Sequence, residues 1–361
     1  MTKRIGVLTG GGDCPGLNAV LRAVAKTAMF KYGWEVIGFK DGYRGLVLND
    51  YMIFGPGDAS GILDKGGTIL GTSNRDNPFK FRVEVNGKVE YKDMSEQVIN
   101  NINSLGIDCM IMIGGDGTLT SARDFSRKGL KVIGVPKTID NDLSGTDYTF
   151  GFMTAVETAT EAIDKLHSTA ESHHRVMILE VMGRYAGWIA IESGIAGGAD
   201  VILIPEIPYN INKVADKVLE RKKAGKHFSI IVVAEGAKSA DGDIVVSKVL
   251  KDSPDPIRLG GIGNKIAEEI ETLTGVETRV TILGHLQRGG RPIPYDRILS
   301  TRYGVAAVEM ANAGKFGTMV SLKGSNITEV SLEEAVGATK TVPPDGELVR
   351  IAKSIGVSFG G

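Results

Sequence analysis

The sequence predicts an α/β protein built from βαβ units around mostly parallel sheets. Short apolar, β-branched runs alternate with amphipathic stretches along most of the 361 residues, a pattern typical of parallel strands joined by helices. The strand candidates are continuously apolar, as expected when helices cover both faces of a sheet. The chain has 48 glycines, and each glycine cluster follows a strand candidate, at the edge of an open parallel sheet where ligands bind.

The predicted elements follow in chain order. Strands are expected at residues 5–9, 36–39, 109–113, 132–135, 176–181, 201–204, 230–234 and 278–283. Helices are expected at residues 17–32, 94–105, 154–170, 211–224 and 263–274. Residues 82–90 alternate around Asn86-Gly87 and predict a hairpin with a type I′ turn. Residues 239–261 are polar, contain Pro254 and Pro256, and predict an irregular surface excursion.

Composition limits the classes of function. A net charge of −1 gives no basic field for nucleic acid or an anionic membrane, so neither is expected as a partner. The chain starts with a strand-like run, and no apolar run reaches the length of a membrane span, so we expect a cytoplasmic protein. The two cysteines, Cys14 and Cys109, indicate no disulfide framework and fit a reducing compartment.

Two glycine clusters predict phosphate contacts. Residues 10–16 lead into a helix whose first N–H groups could bind a phosphate, although a plain tight turn explains them equally well. The spacing fits neither a dinucleotide fingerprint nor a P-loop. Residues 114–118 place Asp116 between glycines, where it could hold Mg²⁺ beside a polyphosphate, or be a solvated turn residue. Lipid kinases and NAD kinases carry similar loops.

Charged residues near other strand ends predict acid–base and anion-binding chemistry. Asp140 and Asp142 follow Lys137 after a strand, so one carboxylate could accept a hydroxyl proton; a capped turn is the alternative. Arginines and a histidine near strand ends can grip a dianionic phosphate. These residues are Arg175, Arg184, Arg279, His285 and Arg288.

Together these segments resemble the 6-phosphofructokinase family. The matching motifs are TGGGD at 9–13, GGDGT at 114–118, PKTIDND at 136–142, EVMGR at 180–184, PE at 205–206 and LGHLQRGG at 283–290. They occur in the family order over nearly the whole chain, which is far more specific than any one motif. The resemblance implies phosphoryl transfer from ATP to the 1-hydroxyl of fructose 6-phosphate, with Mg²⁺ as cofactor.

The resemblance also implies a role for each matching residue. The implied donor site is Gly12, Arg75, Gly115, Asp116, Gly117 and Thr118, with Asp116 as the Mg²⁺ ligand. The implied catalytic residues are Asp140 as general base, Thr138 and Arg184. The implied substrate contacts are Thr138, Ile139, Asp140, Asp142, Met182, Gly183, Arg184 and Glu235. The implied 6-phosphate clamp is Arg175, Arg279, His285 and Arg288.

The family's architecture implies two Rossmann-like domains and self-association. We expect a donor domain at residues 1–151 and about 287–342, and a sugar-phosphate domain at residues 152–286 and about 343–361. In family members the arginines matching Arg175 and Arg279 cross from a neighbouring subunit. A homodimer or homotetramer with shared sites is therefore expected.

The phosphoryl donor is the point that the sequence leaves most open. The chain is closer to the mixed-substrate branch, which holds ATP- and pyrophosphate-dependent members. Lys137 favours pyrophosphate, whereas Gly117 leaves room for the α-phosphate of ATP and favours ATP. Pyrophosphate is therefore the alternative donor. A catalytically silent sugar-phosphate sensor is the alternative of another class, and the intact Asp116 and Asp140 argue against it.

Overall fold

A computed structural model of the chain describes residues 2–85, 87–242, 246–249 and 257–361. In chain order the strands are β1 (Arg4–Thr9), β2 (Glu35–Phe39), β3 (Tyr51–Ile53), β4 (Phe81–Val85), β5 (Lys88–Lys92), β6 (Cys109–Gly114), β7 (Val132–Pro136), β8 (Val176–Val181), β9 (Val201–Leu203), β10 (Ser229–Ala234), β11 (Val246–Val249), β12 (Ile257–Leu259), β13 (Thr278–Ile282), β14 (Thr318–Lys323) and β15 (Asn326–Ser331). The helices are α1 (Leu17–Lys26), α2 (Tyr43–Leu48), α3 (Ser95–Ser104), α4 (Asp116–Arg127), α5 (Phe152–His173), α6 (Trp188–Ala196), α7 (Ile211–Lys223), α8 (Ile262–Thr274), α9 (Pro294–Asn312), α10 (Leu332–Ala335) and α11 (Glu347–Ser354).

The chain divides into two compact units. The first holds the chain up to Thr138 together with Leu143–Gly151 and Arg288–Ala338. The second holds Ile139–Asp142, Phe152–Gln287 and Thr339–Gly361. Residues 139–142 and 339–342 thus group with the second unit, and hydrogen bonds from Lys340 to both Asn141 and Asp142 join these two short segments.

A seven-stranded sheet runs through the described part of the first unit. Its order is β15-β14-β7-β6-β1-β2-β3, and the five inner strands pair in parallel. Strands β3 and β15 pair antiparallel at the two edges. Apolar side chains fill the space between sheet and helices, among them Leu8, Phe39, Met112 and Phe125, all fully buried. Continuous apolar strands between helical layers are what the sequence predicted.

The second unit has a smaller parallel sheet. Its order is β13-β8-β10-β9, with all neighbours parallel. Ile178, Leu203 and Ile231 pack with Ile266 of α8 in its core. The Glu180 carboxylate, buried in β8, accepts the N–H of the residue before α8 at 2.9 Å and so fixes the start of that helix. Both sheets confirm the predicted α/β class.

The predicted hairpin at residues 82–90 and the predicted surface excursion at residues 239–261 had different outcomes. Strands β4 and β5 form the expected antiparallel hairpin, but Asn86 lies outside the described residues and its turn type stays a prediction. The excursion at residues 239–261 was wrong in part, because β11 and β12 pair antiparallel within it. The β-branched residues Val246, Val249 and Ile257 have the sequence preference for strands that fits this ladder. Pro254 and Pro256 lie outside the described residues.

The predicted helices differ from the structure mainly at their ends. The helix expected at residues 17–32 ends at Lys26 and continues as a wider turn over Thr27–Lys31. Helix α9 was not predicted, because it is buried on several sides and has no clear apolar face. It packs closely on α1, where a Cβ at Gly304 would lie 2.7 Å from Ala23 Cβ. Among the described residues, no helix is both long and apolar enough to cross a membrane.

Candidate active site

In the first unit, the glycine loop after β1 lies against the end of β7. Lys137 is buried, and its ammonium donates to the Gly12 carbonyl at 2.5 Å. Its backbone N–H donates to the Gly114 carbonyl at 2.9 Å, which ties the ends of β6 and β7 together. A Cβ at Gly11 would lie 3.3 Å from the Lys137 ammonium, and the φ of +79° there also favours glycine. The predicted residues Gly12 and Lys137 are therefore in contact.

Helix α4 begins at Asp116, with Gly115 directly before it. Asp116 and Gly117 are exposed, whereas Thr118 is buried. A Cβ at Gly117 would meet no heavy atom of the described residues within 4 Å. The helix start therefore presents an exposed carboxylate beside open backbone, and its macrodipole favours anions at this end.

The sequence predicted Asp116 as the Mg²⁺ ligand. No group of three or more His, Cys, Asp or Glu side chains that could hold a metal occurs in the described parts of the chain. Mg²⁺ does not need such a cage, because it binds one or two carboxylates and completes its shell with substrate phosphates and water. A single exposed carboxylate at a helix N-terminus fits Mg²⁺ that arrives with a polyphosphate.

Two predicted arginines belong to the same unit. Arg75 is exposed, two residues beyond Ser73, whose carbonyl accepts the Gly11 N–H at 3.0 Å. Arg288 lies against the glycine loop, since a Cβ at Gly12 would come within 2.9 Å of Arg288 Nη1. The resemblance implies that Arg288 binds the 6-phosphate of the sugar and that Gly12 binds the phosphoryl donor. Within this unit the two residues are neighbours.

The segment after β7 carries the predicted base. Thr138 is buried, and its carbonyl accepts the Thr149 hydroxyl at 2.7 Å. Ile139 is fully buried, so its side chain anchors the segment rather than facing solvent. Asp140 and Asp142 are half-buried. Asp140 thus combines partial exposure with a firmly anchored backbone, as a general base requires.

In the second unit, the loop after β8, residues 182–184, lies against the end of β10. The Gly236 N–H donates to the Gly183 carbonyl at 3.1 Å, and a Cβ at Gly236 would lie 2.0 Å from the Arg184 carbonyl. The Glu235 N–H donates to the last carbonyl of β8 at 2.9 Å. Backbone contacts this close need glycine. They bring the predicted substrate contacts at residues 182–184, after β8, close to Glu235, which follows β10.

Gln287 connects that loop to the turn that holds His285. Its side chain is fully buried, and Oε1 accepts the Met182 N–H at 2.8 Å. His285, two residues earlier in the short turn that begins at Gly284, is exposed. Gln287 lies 105 positions from Met182, so the motif at residues 283–290 indicated the residue but not this anchoring contact.

Arg175 and Arg279 lie at the other end of this sheet. Arg175 directly precedes β8, and Arg279 is the second residue of β13. Both side chains form ion pairs with Glu277, and the Arg175 Nε atom lies 2.7 Å from the Glu277 carboxylate. Six strand residues separate Arg175 from Met182, which is about 20 Å of extended chain. These two arginines are therefore remote from His285 along the sheet of their own unit.

Cys14 is part of the scaffold. Its side chain has no exposed surface, and its thiol donates to the Phe150 carbonyl at 3.7 Å. Burial raises the pKa of the thiol to about 12, so the thiolate is not formed near neutral pH. Although Cys14 belongs to the glycine loop, it is unsuited to act as a nucleophile.

Comparisons with known proteins find a matching family model and full-length relatives. A family model described as "Phosphofructokinase" matches residues 4–311. A protein of Clostridium perfringens named "ATP-dependent 6-phosphofructokinase 2" is 65% identical, covering 99% of this chain and 98% of its own length. A "Pyrophosphate--fructose 6-phosphate 1-phosphotransferase" of Amycolatopsis methanolica is 51% identical, covering 95% of this chain and 97% of its own.

A solved phosphofructokinase from Saccharomyces cerevisiae has the same fold. It superposes with a TM-score of 0.79 at 32% identity over 92% of this chain. This chain spans 45% of the length of that yeast chain. The predicted phosphofructokinase-type fold is thereby confirmed. Since the family match and the relatives extend over nearly all of its residues, the chain belongs to the phosphofructokinase family.

Proposed function

We propose that this chain is an ATP-dependent 6-phosphofructokinase of glycolysis, which converts D-fructose 6-phosphate and ATP to fructose 1,6-bisphosphate and ADP. The 65% identical relative of nearly equal length carries that activity in its name. The observation that carries ATP as donor is the open space beside Gly117. The reaction is tested by incubating the purified chain with both substrates and Mg²⁺, and by measuring equal yields of the two products.

The donor is bound by the first unit. The start of α4 and the glycine loop approach the phosphates with Gly12, Gly115, Gly117 and Thr118, and Arg75 adds a positive charge. Asp116 would hold Mg²⁺, and the bound ion would neutralise part of the phosphate charge. The buried ammonium of Lys137, held on the Gly12 carbonyl, faces the same loop.

The acceptor sugar is bound by residues of the second unit. The loop at residues 182–184 and Glu235 contact the sugar, and Arg184 stabilises charge at the reacting end. Thr138 polarises the phosphoryl group that is transferred. Asp140 accepts the proton of the 1-hydroxyl as the oxygen attacks the γ-phosphoryl group. Asp142 is a further contact to the sugar, and Ile139 anchors the segment in the core.

The 6-phosphate is clamped by residues of two subunits. His285 and Arg288 contribute from one chain. Arg175 and Arg279 contribute to the site of a neighbouring subunit, as the family resemblance implies, and their place at the far end of their own sheet supports this. The enzyme is therefore a homodimer or homotetramer with shared sites.

We expect Arg279→Ala to raise the KM for fructose 6-phosphate by one to two decades while leaving the KM for ATP nearly unchanged. A charge-assisted hydrogen bond contributes about 1.5–3 kcal/mol, and each 1.4 kcal/mol is about tenfold in affinity. Initial rates at varied concentrations of each substrate measure both constants. Arg350→Ala, which removes an exposed arginine on α11 of the same unit, is the matched control and should change neither.

The proposed sharing of sites between subunits is tested by combining Arg279→Ala with a second variant, Asp140→Asn, which removes the proposed base. A hybrid oligomer of Arg279→Ala and Asp140→Asn protomers contains sites with an intact base and an intact neighbour's arginine, so activity should partly return. If hybrids that have demonstrably exchanged subunits remain inactive, Arg279 acts within its own chain. If the KM for ATP rises instead of that for the sugar phosphate, the clamp assignment is wrong.

Pyrophosphate is the second candidate donor. Lys137 favours it, because its ammonium can grip a terminal phosphate, and the 51% identical Amycolatopsis methanolica relative is named for pyrophosphate. Against it, the family resemblance implies Asp in a pyrophosphate enzyme at the position that Gly117 occupies in this chain. Side-by-side rates with the two donors decide between them.

A further inference from the structure

A short segment near the C-terminus, residues 339–342, is fastened to helix α6 of the second unit. We name it the C-terminal strap. The Trp188 indole N–H donates to the Lys340 carbonyl at 2.8 Å. The Val342 N–H donates to a carboxylate oxygen of Glu206 at 2.8 Å. Both bonds fix the backbone of the strap, so the Lys340 side chain extends from a rigid base.

Lys340 contacts the segment that contains the proposed base through two hydrogen bonds. Its backbone N–H donates to the Asp142 carbonyl at 2.8 Å, and its ammonium donates to Asn141 Oδ1 at 2.9 Å. Asn141 is 2% exposed and has φ of +50°, in the left-handed region that few residues other than glycine adopt and that Asn tolerates better than most. A partly buried, charge-assisted bond to Lys340 favours that conformation further.

The ammonium of Lys340 is also held from its other sides. It lies 5.5 Å from the centre of the Trp188 ring, within cation–π range. The Glu192 carboxyl on α6 is another neighbour: burial raises its pKa to about 7, and the Lys340 charge opposes that rise. The cation therefore has a defined position instead of the many rotamers of a surface lysine.

We infer that Lys340 is a positioning residue, which orients the Asp140 carboxylate by holding Asn141 and Asp142 in place. This inference rests on the proposed role of Asp140 as general base. Asp140 directly precedes Asn141 in the chain, so a change in the backbone conformation of Asn141 would displace the Asp140 carboxylate. Displacements of about 1 Å can cost on the order of 10²-fold in rate when the reacting groups must be aligned.

The test begins with Lys340→Met, which keeps the backbone bonds and the aliphatic length but removes the ammonium. We expect kcat to fall about 10- to 100-fold, with the KM values of both substrates within about twofold of wild type. Lys353→Met is the matched control. The Lys353 ammonium also lies over an aromatic ring, that of Phe359 at 5.9 Å, but it is exposed on α11 and should leave kcat unchanged.

Two further variants separate positioning from general destabilisation. Lys340→Arg keeps a cationic donor and should recover part of the lost kcat, and it also provides a reading if the methionine variant does not fold. Asn141→Gly removes the acceptor but tolerates the positive φ, so it should reproduce the loss. The double variant should be no slower than either single one, because both remove the same contact.

Hydrogen–deuterium exchange of the peptide covering residues 138–143 tests the contact of Lys340 with this segment without an activity assay. We expect faster exchange in Lys340→Met than in wild type or Lys353→Met. An inactive wild-type enzyme would refute the proposed function, while faster exchange would still establish the contact. Wild-type kcat and exchange in Lys340→Met, or strictly multiplicative losses in the double variant, would overturn the inference.

Discussion

Replacing Asp140 by Asn should lower kcat by about 10²- to 10⁴-fold, the range that a positioned general base contributes. The amide has nearly the size of the carboxylate but cannot accept the hydroxyl proton as the oxygen attacks. Since Ile139 anchors the segment in the core, the fold should be retained. The KM for fructose 6-phosphate should change much less than kcat, because the lost interaction belongs to the transition state.

Asp345→Asn makes the same chemical change at an exposed position of the second unit and serves as the control. It should keep wild-type kcat. Circular dichroism and thermal melting establish that both variants are folded. A folded Asp140→Asn enzyme with near-normal kcat would remove Asp140 from the role of base.

Gly117→Asp should reduce ATP-dependent turnover by about three decades. Within the described residues the new side chain meets no obstacle, so the helix should form as before. The carboxylate would occupy the space proposed for the α-phosphate, and juxtaposed like charges cost several kcal/mol. Any pyrophosphate-dependent rate should suffer less, because pyrophosphate has no group at that place.

Two matched substitutions divide this effect into size and charge. Gly117→Asn has nearly the same size without the charge, and Gly117→Ala adds only a methyl group. We expect ATP-dependent rates in the order Gly, Ala, Asn, Asp, with the largest step at the charge. If Gly117→Asp keeps ATP-dependent rates near wild type, the donor phosphates do not pass this residue.

Much of the scaffold could be predicted because apolar, β-branched runs fix parallel strands. The strand Val176–Val181 has the predicted bounds, and the site loops follow the strands as the rule for open sheets requires. Helix α9 was missed because it is buried on several sides, which removes the periodic pattern. Strands β11 and β12 were missed because the polar composition of residues 239–261 and the prolines in the sequence between the two strands outweighed short β-branched runs.

The contacts that position the site were harder to predict than its residues. The resemblance named Asp140, Arg175 and Arg279, but it gave no role to Lys340 or Glu277, which contact them or their neighbours. Lys340 lies 199 positions from Asn141, so no local pattern indicates their hydrogen bond. Such long-range contacts depend on tertiary structure, and only coordinates reveal them.

The central claim, that ATP is the preferred donor, is tested most directly by initial rates of fructose 1,6-bisphosphate formation. Wild-type enzyme is assayed with saturating fructose 6-phosphate and Mg²⁺, and with ATP or pyrophosphate varied in parallel. We predict a higher kcat/KM with ATP, because the open backbone at Gly117 admits its α-phosphate. A higher kcat/KM with pyrophosphate would contradict the account and make Lys137 the residue that selects the donor.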